Sequence, residues 1–291
     1  MKKLSNKFKK IVLSFTNPFI VFFIIILLSS RNIYVKRKYI GISLLKRIIN
    51  NSGFNRFSLT TTGVLILFYD DTVKKFPLSD TSTRSLQKDL SFYHAAANKK
   101  IKIFLNYSFS EVKGAYKMSL LFEGKNLFND YFERLSKINK NYDLYSKKVL
   151  SLNDCLYLCP NYKLVESRCR IKFDLKKEVK VMVGFMHGDL TERNILCDIN
   201  GNCCLIDLDR ARFDGILELD EIHYLIELGS KQKGISFFEY IENNTSTLNK
   251  KFNSSILYLY LMYRLSNEFR KDTILNDAYY SSAKDCHDYI I

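Results

Sequence analysis

The sequence lacks a regular cysteine framework. Its seven cysteines are an odd number, no C-x-x-C pair occurs, and none of the four histidines lies near Cys155, Cys159 and Cys169. Disulfide-rich secreted domains and zinc sites need paired or regularly spaced ligands. We therefore interpret the cysteines as reduced thiols of a cytoplasmic protein and expect no zinc site.

Acidic residues are absent from the first 69 positions. Twelve lysines and arginines lie in the same stretch, while the rest of the chain is nearly balanced, so this end carries most of the formal net charge of +15. A basic block limited to one end favours binding to a polyanion, such as nucleic acid or an anionic membrane leaflet.

An apolar segment inside the basic block favours the membrane, and no nucleic acid partner is expected. Residues 11–30 are long enough to span a bilayer, but only 19–28 (FIVFFIIILL) are continuously apolar, which better fits an interfacial, re-entrant or buried segment. Cations flank the segment on both sides, and no A-x-A cleavage site follows it. We predict that residues 1–38 form a basic segment whose hydrophobic anchor contacts an anionic membrane surface. Burial in a globular core is the alternative.

Beyond this segment the pattern changes from strands to helices. We predict strands at 63–69, 72–78, 100–107 and 116–123, with a helix at 84–97. We predict further helices at 126–138, 142–158, 217–228, 237–242 and 251–270. Strands first and helices after imply an α+β protein in which a β-rich lobe joins an α-rich lobe, with a cleft between them.

Three polar side chains stand at set distances within residues 185–214: Asp189, Asn194 and Asp207. The pattern predicts a tight hairpin over 195–206, which returns Asp207 to the rim where Asn194 lies. A carboxamide and a carboxylate are oxygen ligands that suit a Mg²⁺ ion carrying nucleotide phosphates. Asp189 is then the separate carboxylate that faces the incoming hydroxyl in a phosphoryl transfer.

These residues resemble the catalytic and metal loops of the protein-kinase-like superfamily. The resemblance lies in H-G-D-L-x-x-x-N-I-L at 187–196 and L-I-D at 205–207, and the H-G-D form is similar to the sugar, choline and aminoglycoside kinase branches. The continuation D-L-D-R-A-R at 207–212 resembles the D-F-D-R-x-R of bacterial lipopolysaccharide kinases, the Kdo kinase and heptose kinase group. The resemblance implies a bilobal protein-kinase-like fold, with a β-rich N-lobe and an α-helical C-lobe, that uses ATP and Mg²⁺.

The same resemblance implies a nucleotide site in the upstream half. Kinases bind the nucleotide phosphates with a strand lysine that pairs with an acid on the following helix. We predict Lys74 for the lysine, with Lys75 as the neighbour of opposite side-chain direction, and Asp89 for the acid, where the family usually has glutamate. The backbone of Phe122 and Glu123 resembles the hinge that meets adenine. The glycine-rich G-x-G-x-x-G loop of kinases is missing from the sequence.

In the catalytic loop the resemblance assigns roles to four residues. Asp189 is the predicted catalytic residue, His187 is expected to brace the loop beside it, and Asn194 and Asp207 are the predicted metal ligands. Gly188 stands where H-R-D kinases have an arginine that usually pairs with an activation-loop phosphate. Control by phosphorylation of that loop is therefore not expected.

The leading hypothesis is a kinase with an alcohol group as acceptor, which phosphorylates Kdo, heptose or a related sugar of a bacterial lipopolysaccharide or another lipid-linked envelope glycan. Its expected place is the cytoplasmic face of the inner membrane. A protein Ser/Thr kinase and a pseudokinase scaffold are the alternatives. We divide the chain into the basic segment 1–38, an N-lobe at 39–124 and a C-lobe at 125–291.

Removal of residues 1–38 is expected to release the protein from membranes and leave the rest folded, because every catalytic motif lies beyond Gly53. Flotation with anionic vesicles and thermal melting measure the two effects. For an interfacial anchor, high salt should strip part of the full-length protein, since each basic residue near an anionic surface contributes about 1 kcal/mol. Aggregation of the truncated protein without a cooperative melt would place residues 19–28 in the core instead.

Overall fold

The structure is a computed structural model that describes residues 145–268 and 277–290 without a gap, together with several earlier stretches. Those stretches are residues 47, 50–51, 53–60, 63–99, 101, 104–105, 107–112, 114–122, 131–135 and 137. The predicted anchor and the rest of 1–38 lie outside the described residues. In the part of the chain that is described, no helix has both the length and the apolar character needed to cross a membrane.

The chain divides into two compact units, and the α+β fold class is confirmed. The N-terminal unit comprises residues 1–125 and 196–209 and is strand-rich, whereas the C-terminal unit comprises 126–195 and 210–291 and is mainly helical. The predicted division into an N-lobe at 39–124 and a C-lobe at 125–291 stays a prediction. The 196–209 segment joins the N-terminal unit because Cys197 pairs with Phe122 there.

A five-stranded antiparallel sheet forms the frame of the N-terminal unit, in the order β1-β2-β3-β5-β4. Its strands are β1 Arg56–Leu59, β2 Val64–Phe68, β3 Thr72–Pro77, β4 Phe109–Val112 and β5 Ala115–Ser119. On one face Leu65 and Leu67 of β2 pack with Phe76 of β3 in a buried apolar cluster. The predicted strands at 63–69, 72–78 and 116–123 are confirmed.

Helix α1, Asp80–Ala97, follows β3 and is fixed at its start by a capping box. The Ser79 side chain accepts a hydrogen bond from the backbone N–H of Ser82, and the Ser82 hydroxyl accepts one from the backbone N–H of Ser79. Residues spaced by one helical turn are buried on a single face, among them Leu86 and Asp89. The cap therefore sets the helical register that turns Asp89 inward.

The C-terminal unit combines a three-stranded sheet with a helical core. The sheet has the order β10-β7-β6, with strands β6 Ser146–Ser151, β7 Glu178–Met186 and β10 Arg212–Ile216. Its described helices include α2 Tyr162–Cys169, α3 Leu217–Lys233, α4 Phe237–Phe252, α5 Ser254–Glu268 and α6 Asp277–Ile290. Helix α5 is buried along most of its length, and α3, α4 and α6 contribute to the same apolar core. The helices predicted at 217–228, 237–242 and 251–270 correspond to α3, α4 and α5.

Two predicted elements are wrong. The helix expected at 142–158 is strand β6 followed by a 3-10 helix, Asn153–Leu158, because antiparallel pairing with β7 overrides the helix propensity of a Lys- and Leu-rich stretch. The strand expected at 100–107 contains no strand residue among those described. Ile101, Phe104 and Leu105 are buried at the spacing of a helical turn, and strand β4 begins only at Phe109.

Candidate functional site

A buried lysine is the centre of the N-terminal unit's polar site. Lys75 lies on β3 and is only 6% exposed. Its Nζ atom lies 2.9 Å from Asp207 Oδ1 and 3.9 Å from Asp89 Oδ2. Burial alone would lower the pKa of Lys75, but the charges of Asp207 and Asp89 outweigh it and raise the pKa. The ammonium group therefore stays charged inside the unit.

Lys74 does not form this ion pair, so that prediction is wrong. In the sheet Lys74 lies opposite Leu67, on the face of the apolar cluster, whereas Lys75 lies opposite Ile66 on the other face. The Lys74 ammonium instead lies 3.4 Å from Asn51 Oδ1 and 4.7 Å from the centre of the Tyr69 ring. Successive strand residues point to opposite faces, and only the Lys75 face turns towards α1.

Asp89 is the acid on the following helix, as predicted, although it is a shorter residue than glutamate. It is 3% exposed, and burial raises its pKa to about 6 although Lys75 acts in the opposite direction. Its Oδ1 atom accepts the backbone N–H of Leu208 at 2.9 Å. Asp89 therefore connects the strand lysine to the loop that carries Asp207.

Asp207 presents its carboxylate at the surface of the N-terminal unit, with 54% of the side chain exposed. It follows β9, Cys203–Leu205, whose Leu205 carbonyl accepts the Tyr107 hydroxyl at 2.8 Å. Its backbone is left-handed, with φ +58°. A carboxylate oxygen that is partly exposed and partly held by a lysine is a donor for a hard cation that keeps waters and phosphates as its other ligands.

Within the described residues, no cluster of three or more His, Cys, Asp or Glu side chains forms a metal cage. A site with one or two protein carboxylates is the usual arrangement for Mg²⁺ bound with nucleotide phosphates. The donor chemistry of Asp207 fits that arrangement, and it does not fit a structural zinc site.

The predicted hinge needs a correction at Phe122. Its backbone N–H donates to the Cys197 carbonyl at 2.9 Å, and its carbonyl accepts the Cys197 N–H at 2.8 Å. The Phe122 N–H is therefore engaged in the protein's own bridge and is not available to adenine. The next residue, Glu123, lies outside the described residues, and its predicted contact stays a prediction. The backbone groups of Leu121 make no hydrogen bond with any residue that the structure describes.

Asp189 is the centre of a second polar site, in the C-terminal unit. Three nitrogen atoms lie close to its Oδ1 atom: His223 Nε2 at 3.4 Å, Arg210 Nη1 at 3.8 Å and Arg264 Nη1 at 4.0 Å. Burial alone would raise the pKa of Asp189, but the His223 side chain and the charges of Arg210 and His187 outweigh it and hold the pKa well below its ordinary value. The carboxylate is therefore ionised at any physiological pH.

The helices behind Asp189 hold these neighbours in place. His223 on α3 is buried, and its Nδ1 atom lies 2.8 Å from the Tyr260 hydroxyl. Arg264 on α5 also contacts Glu227 at 3.5 Å and Glu268 at 2.5 Å. Because the Arg264 charge is shared by these acids, its side chain acts as a fixed brace beside Asp189.

The backbone before Asp189 is anchored by a buried carboxylate. Asp220 on α3 is 1% exposed and accepts two consecutive backbone N–H groups, from His187 at 2.5 Å and from Gly188 at 2.8 Å. The His187 ring is fully buried, and its Nδ1 atom accepts the backbone N–H of Asp189 at 3.3 Å. This geometry gives His187 a bracing role, since a buried ring does not meet a substrate.

Gly188 is required at its position for two physical reasons. Its φ is +83°, a left-handed conformation that side chains disfavour. A Cβ atom there would lie 2.6 Å from the Arg210 carbonyl oxygen, closer than real Cβ contacts. The arginine of H-R-D kinases does not fit this loop, and Arg210 provides the positive charge beside Asp189 from another segment.

Asn194 and the following hairpin complete the predicted constellation. Asn194 is 8% exposed, and its amide nitrogen donates to the Asp189 carbonyl at 2.9 Å, which leaves its side-chain oxygen as the group able to bind a cation. The predicted hairpin is confirmed as β8, Ile195–Cys197, paired with β9. Asn194 belongs to the C-terminal unit and Asp207 to the N-terminal unit, so their joint role in metal binding stays a prediction.

Sequence reasoning named Lys75 only as the neighbour of Lys74, and it missed several other residues of both sites: Ser85, Tyr107, Asp220, His223, Tyr263 and Arg264. Their signals in the sequence are generic. His223 with Glu227 and Arg264 with Glu268 are spaced by one helical turn, a pattern shared by most exposed helices. Tyr263 ends the largely apolar run ILYLYLMY of α5, yet its hydroxyl donates to the Gly188 carbonyl at 2.6 Å.

The order of these parts is that of a protein-kinase-like fold. A lysine on the third strand pairs with an acid on the next helix, and Asp189 precedes a hairpin and a second aspartate. No family model matches the sequence, and no curated protein matches it. One matching solved structure is the aminoglycoside phosphotransferase APH(2'')-Ib with ADP bound. It shares 10% sequence identity, with 86% of this chain and 97% of that chain covered and a TM-score of 0.47. This likeness assigns neither an activity nor a substrate to the chain.

Proposed function

We propose that this chain is an ATP-dependent phosphotransferase with an alcohol group as acceptor. The observation that carries the proposal is the buried Lys75 on β3, held between Asp89 of α1 and Asp207 of the loop after β9. A purely structural ion pair gains little from a charge buried in a unit of this size, because desolvation offsets the attraction. A nucleotide site needs this combination, since the lysine binds phosphate oxygens and the exposed carboxylate binds the metal.

In the proposed complex Lys75 contacts the α/β-phosphates, and Asp207 holds Mg²⁺ through its exposed carboxylate. Asn194 is the second predicted metal ligand. When bound, Mg²⁺ neutralises the charge on the phosphates during transfer. Both backbone groups of Phe122, one of the two predicted hinge residues, are engaged with Cys197. The Leu121 carbonyl makes no hydrogen bond with a described residue, and we therefore assign it to adenine.

Asp189 is proposed to orient the acceptor hydroxyl. Its neighbours Arg210, His223 and Arg264 keep it ionised, so it accepts a hydrogen bond from the hydroxyl and aims the oxygen lone pair at the phosphorus. A carboxylate with so low a pKa is a weak base. Orientation of the nucleophile is therefore its main contribution in this proposal.

The proposed acceptor is a sugar hydroxyl of Kdo, heptose or a related residue, in a lipopolysaccharide or another lipid-linked envelope glycan. Two features of the sequence support it: the D-L-D-R-A-R run at 207–212 and the basic, apolar segment 1–38. Substrates of this class are anionic and lie at the inner leaflet. The cytoplasmic face of the inner membrane is accordingly the proposed location.

A pseudokinase scaffold is the second candidate, and one observation favours it. Between strands β1 and β2, the Gly63 N–H donates to the Thr60 carbonyl at 3.2 Å, and the Val64 N–H donates to the Thr60 hydroxyl at 2.9 Å. Active protein kinases cover the phosphates at this point with a glycine-rich loop. A scaffold binds nucleotide weakly and consumes none of it.

Asp189→Asn and Asp207→Asn are expected to fail differently. Asp207→Asn should weaken Mg²⁺-ATP binding and abolish transfer, because the metal loses a charged ligand. Asp189→Asn should bind Mg²⁺-ATP nearly as well as the wild type, while turnover falls by roughly 10²- to 10⁴-fold, the usual contribution of such a group. Calorimetric titration and an ATP-consumption assay measure the two effects.

Asp214→Asn is the matched control, because Asp214 is an exposed carboxylate that pairs with Arg212. It should leave both measurements unchanged. Normal turnover of Asp189→Asn would remove the catalytic role of Asp189. A wild-type protein that binds nucleotide but does not consume it under any condition would favour the scaffold.

The acceptor is tested separately by following label from γ-labelled ATP in membranes that contain the protein. We expect the label in a lipid-extractable glycan, since the acceptor proposed is a sugar hydroxyl on a lipid-linked molecule. The Asp189→Asn protein in the same membranes is the control. Label found only in protein bands would contradict the sugar acceptor and favour a protein Ser/Thr kinase.

A further inference from the structure

The loop that carries Asp207 has an unfavourable backbone conformation. Asp207 adopts φ +58°, the left-handed region that glycine enters freely and that other L-residues enter at a cost. Such a residue keeps this conformation only where the surrounding structure holds it. The contacts of the next two residues show what holds it here.

Helix α1 binds both residues that follow Asp207. The Leu208 N–H donates to Asp89 Oδ1 at 2.9 Å, and the Ser85 hydroxyl donates to Asp209 Oδ2 at 2.6 Å. Ser85 and Asp89 lie one helical turn apart, so they share a face of α1. The Leu208 side chain is also buried, at 1% exposure. Leu208 and Asp209 are thus hydrogen-bonded to side chains on two successive turns of helix α1.

The Ser85–Asp209 hydrogen bond affects the balance of charges around Lys75. Three carboxylates, those of Asp89, Asp207 and Asp209, act on the single cation of Lys75, and they repel one another. The Ser85 hydroxyl provides Asp209 with a donor of its own. A hydrogen bond to a charged group is about twice as strong as one between neutral groups. Without it, the turn keeps only the Leu208–Asp89 hydrogen bond to α1, and Asp207 is held less firmly beside Lys75.

We propose that Ser85 and Asp209 are positioning residues for Mg²⁺-nucleotide, and that their hydrogen bond holds the 207–209 turn on α1 so that Asp207 keeps facing Lys75. The inference rests on the proposed function for the identity of the ligand. The position that is glycine in D-F-G kinases is here an aspartate that accepts a hydrogen bond from Ser85.

The test is a double-mutant cycle with Ser85→Ala, Asp209→Ala and the combined variant. Ser91→Ala and Asp71→Ala are matched controls, since Ser91 is an exposed serine of the same helix and Asp71 an exposed aspartate of the same unit. The first measurement is hydrogen exchange of the Leu208 amide in protein free of metal and nucleotide. The second is the dissociation constant of ATP, with Mg²⁺ and with EDTA.

Each single variant is expected to speed Leu208 exchange and to weaken Mg²⁺-ATP binding by about tenfold, with ATP binding in EDTA unchanged. The combined variant should be no worse than either single one, because both remove the same bond. Ser85→Thr, which keeps the hydroxyl, should restore binding. A general loss of folding would instead lower the melting temperature and affect both ATP measurements.

Leu208 exchange that is unchanged in both single variants, or effects that simply add, would overturn the inference. This exchange readout decides the matter even for a protein that binds no nucleotide. Failure of the wild type to bind Mg²⁺-ATP would contradict the proposed function and, with it, the positioning role, while fast exchange in the variants would still establish the bond as a structural one.

Discussion

The N-terminal unit is organised around one constraint, the burial of the Lys75 ammonium group. A buried unpaired lysine would be very costly, so the unit must bring carboxylates to it. Asp207 lies at 2.9 Å and Asp89 at 3.9 Å. This requirement fixes which face of β3 turns to α1, and where the loop after β9 must end. The strained backbone of Asp207 persists because this pairing and the hydrogen bonds from α1 hold it.

The C-terminal unit surrounds a group of opposite charge, the Asp189 carboxylate. The Asp189 carboxylate is surrounded by cationic and imidazole nitrogens, while the loop before it is fixed by Asp220, which accepts two consecutive backbone N–H groups. Asp220 is itself almost fully buried, and burial raises its pKa although His187 and these N–H groups act in the opposite direction. In each unit, buried partner residues thus hold one charged group in a defined orientation.

The sequence was informative where chemistry depends on spacing along the chain. The turn residues at 198–201, between two short apolar runs, predicted the hairpin β8–β9, and the order of strands and helices predicted the α+β class. Spacing failed to predict the residue's role where that role depends on which face of a strand the residue occupies. Lys74 and Lys75 are adjacent, and the V-K-K-F pattern does not say which of them faces α1. The register of β3 against β2 decides it.

Other misses have a different physical origin. Strand β6 contains two lysines, and its pairing with β7, from Ser146 opposite Val183 to Ser151 opposite Glu178, is a tertiary contact that local propensity does not contain. His223 and Arg264 come from helices far along the chain from Asp189, so no local motif includes them. Which residues lie near Asp189 is a property of packing, and helices α3 and α5 provide it here.

The central claim is that Lys75, and not its neighbour, binds the nucleotide phosphates. The most direct measurement is Mg²⁺-ATP titration of Lys75→Met and Lys74→Met, two identical substitutions at adjacent positions on opposite faces of β3, with a cooperative melt required of each protein. The account predicts that Lys75→Met loses most of the affinity and that Lys74→Met binds like the wild type. Normal binding by Lys75→Met, or loss of binding by Lys74→Met alone, would contradict it.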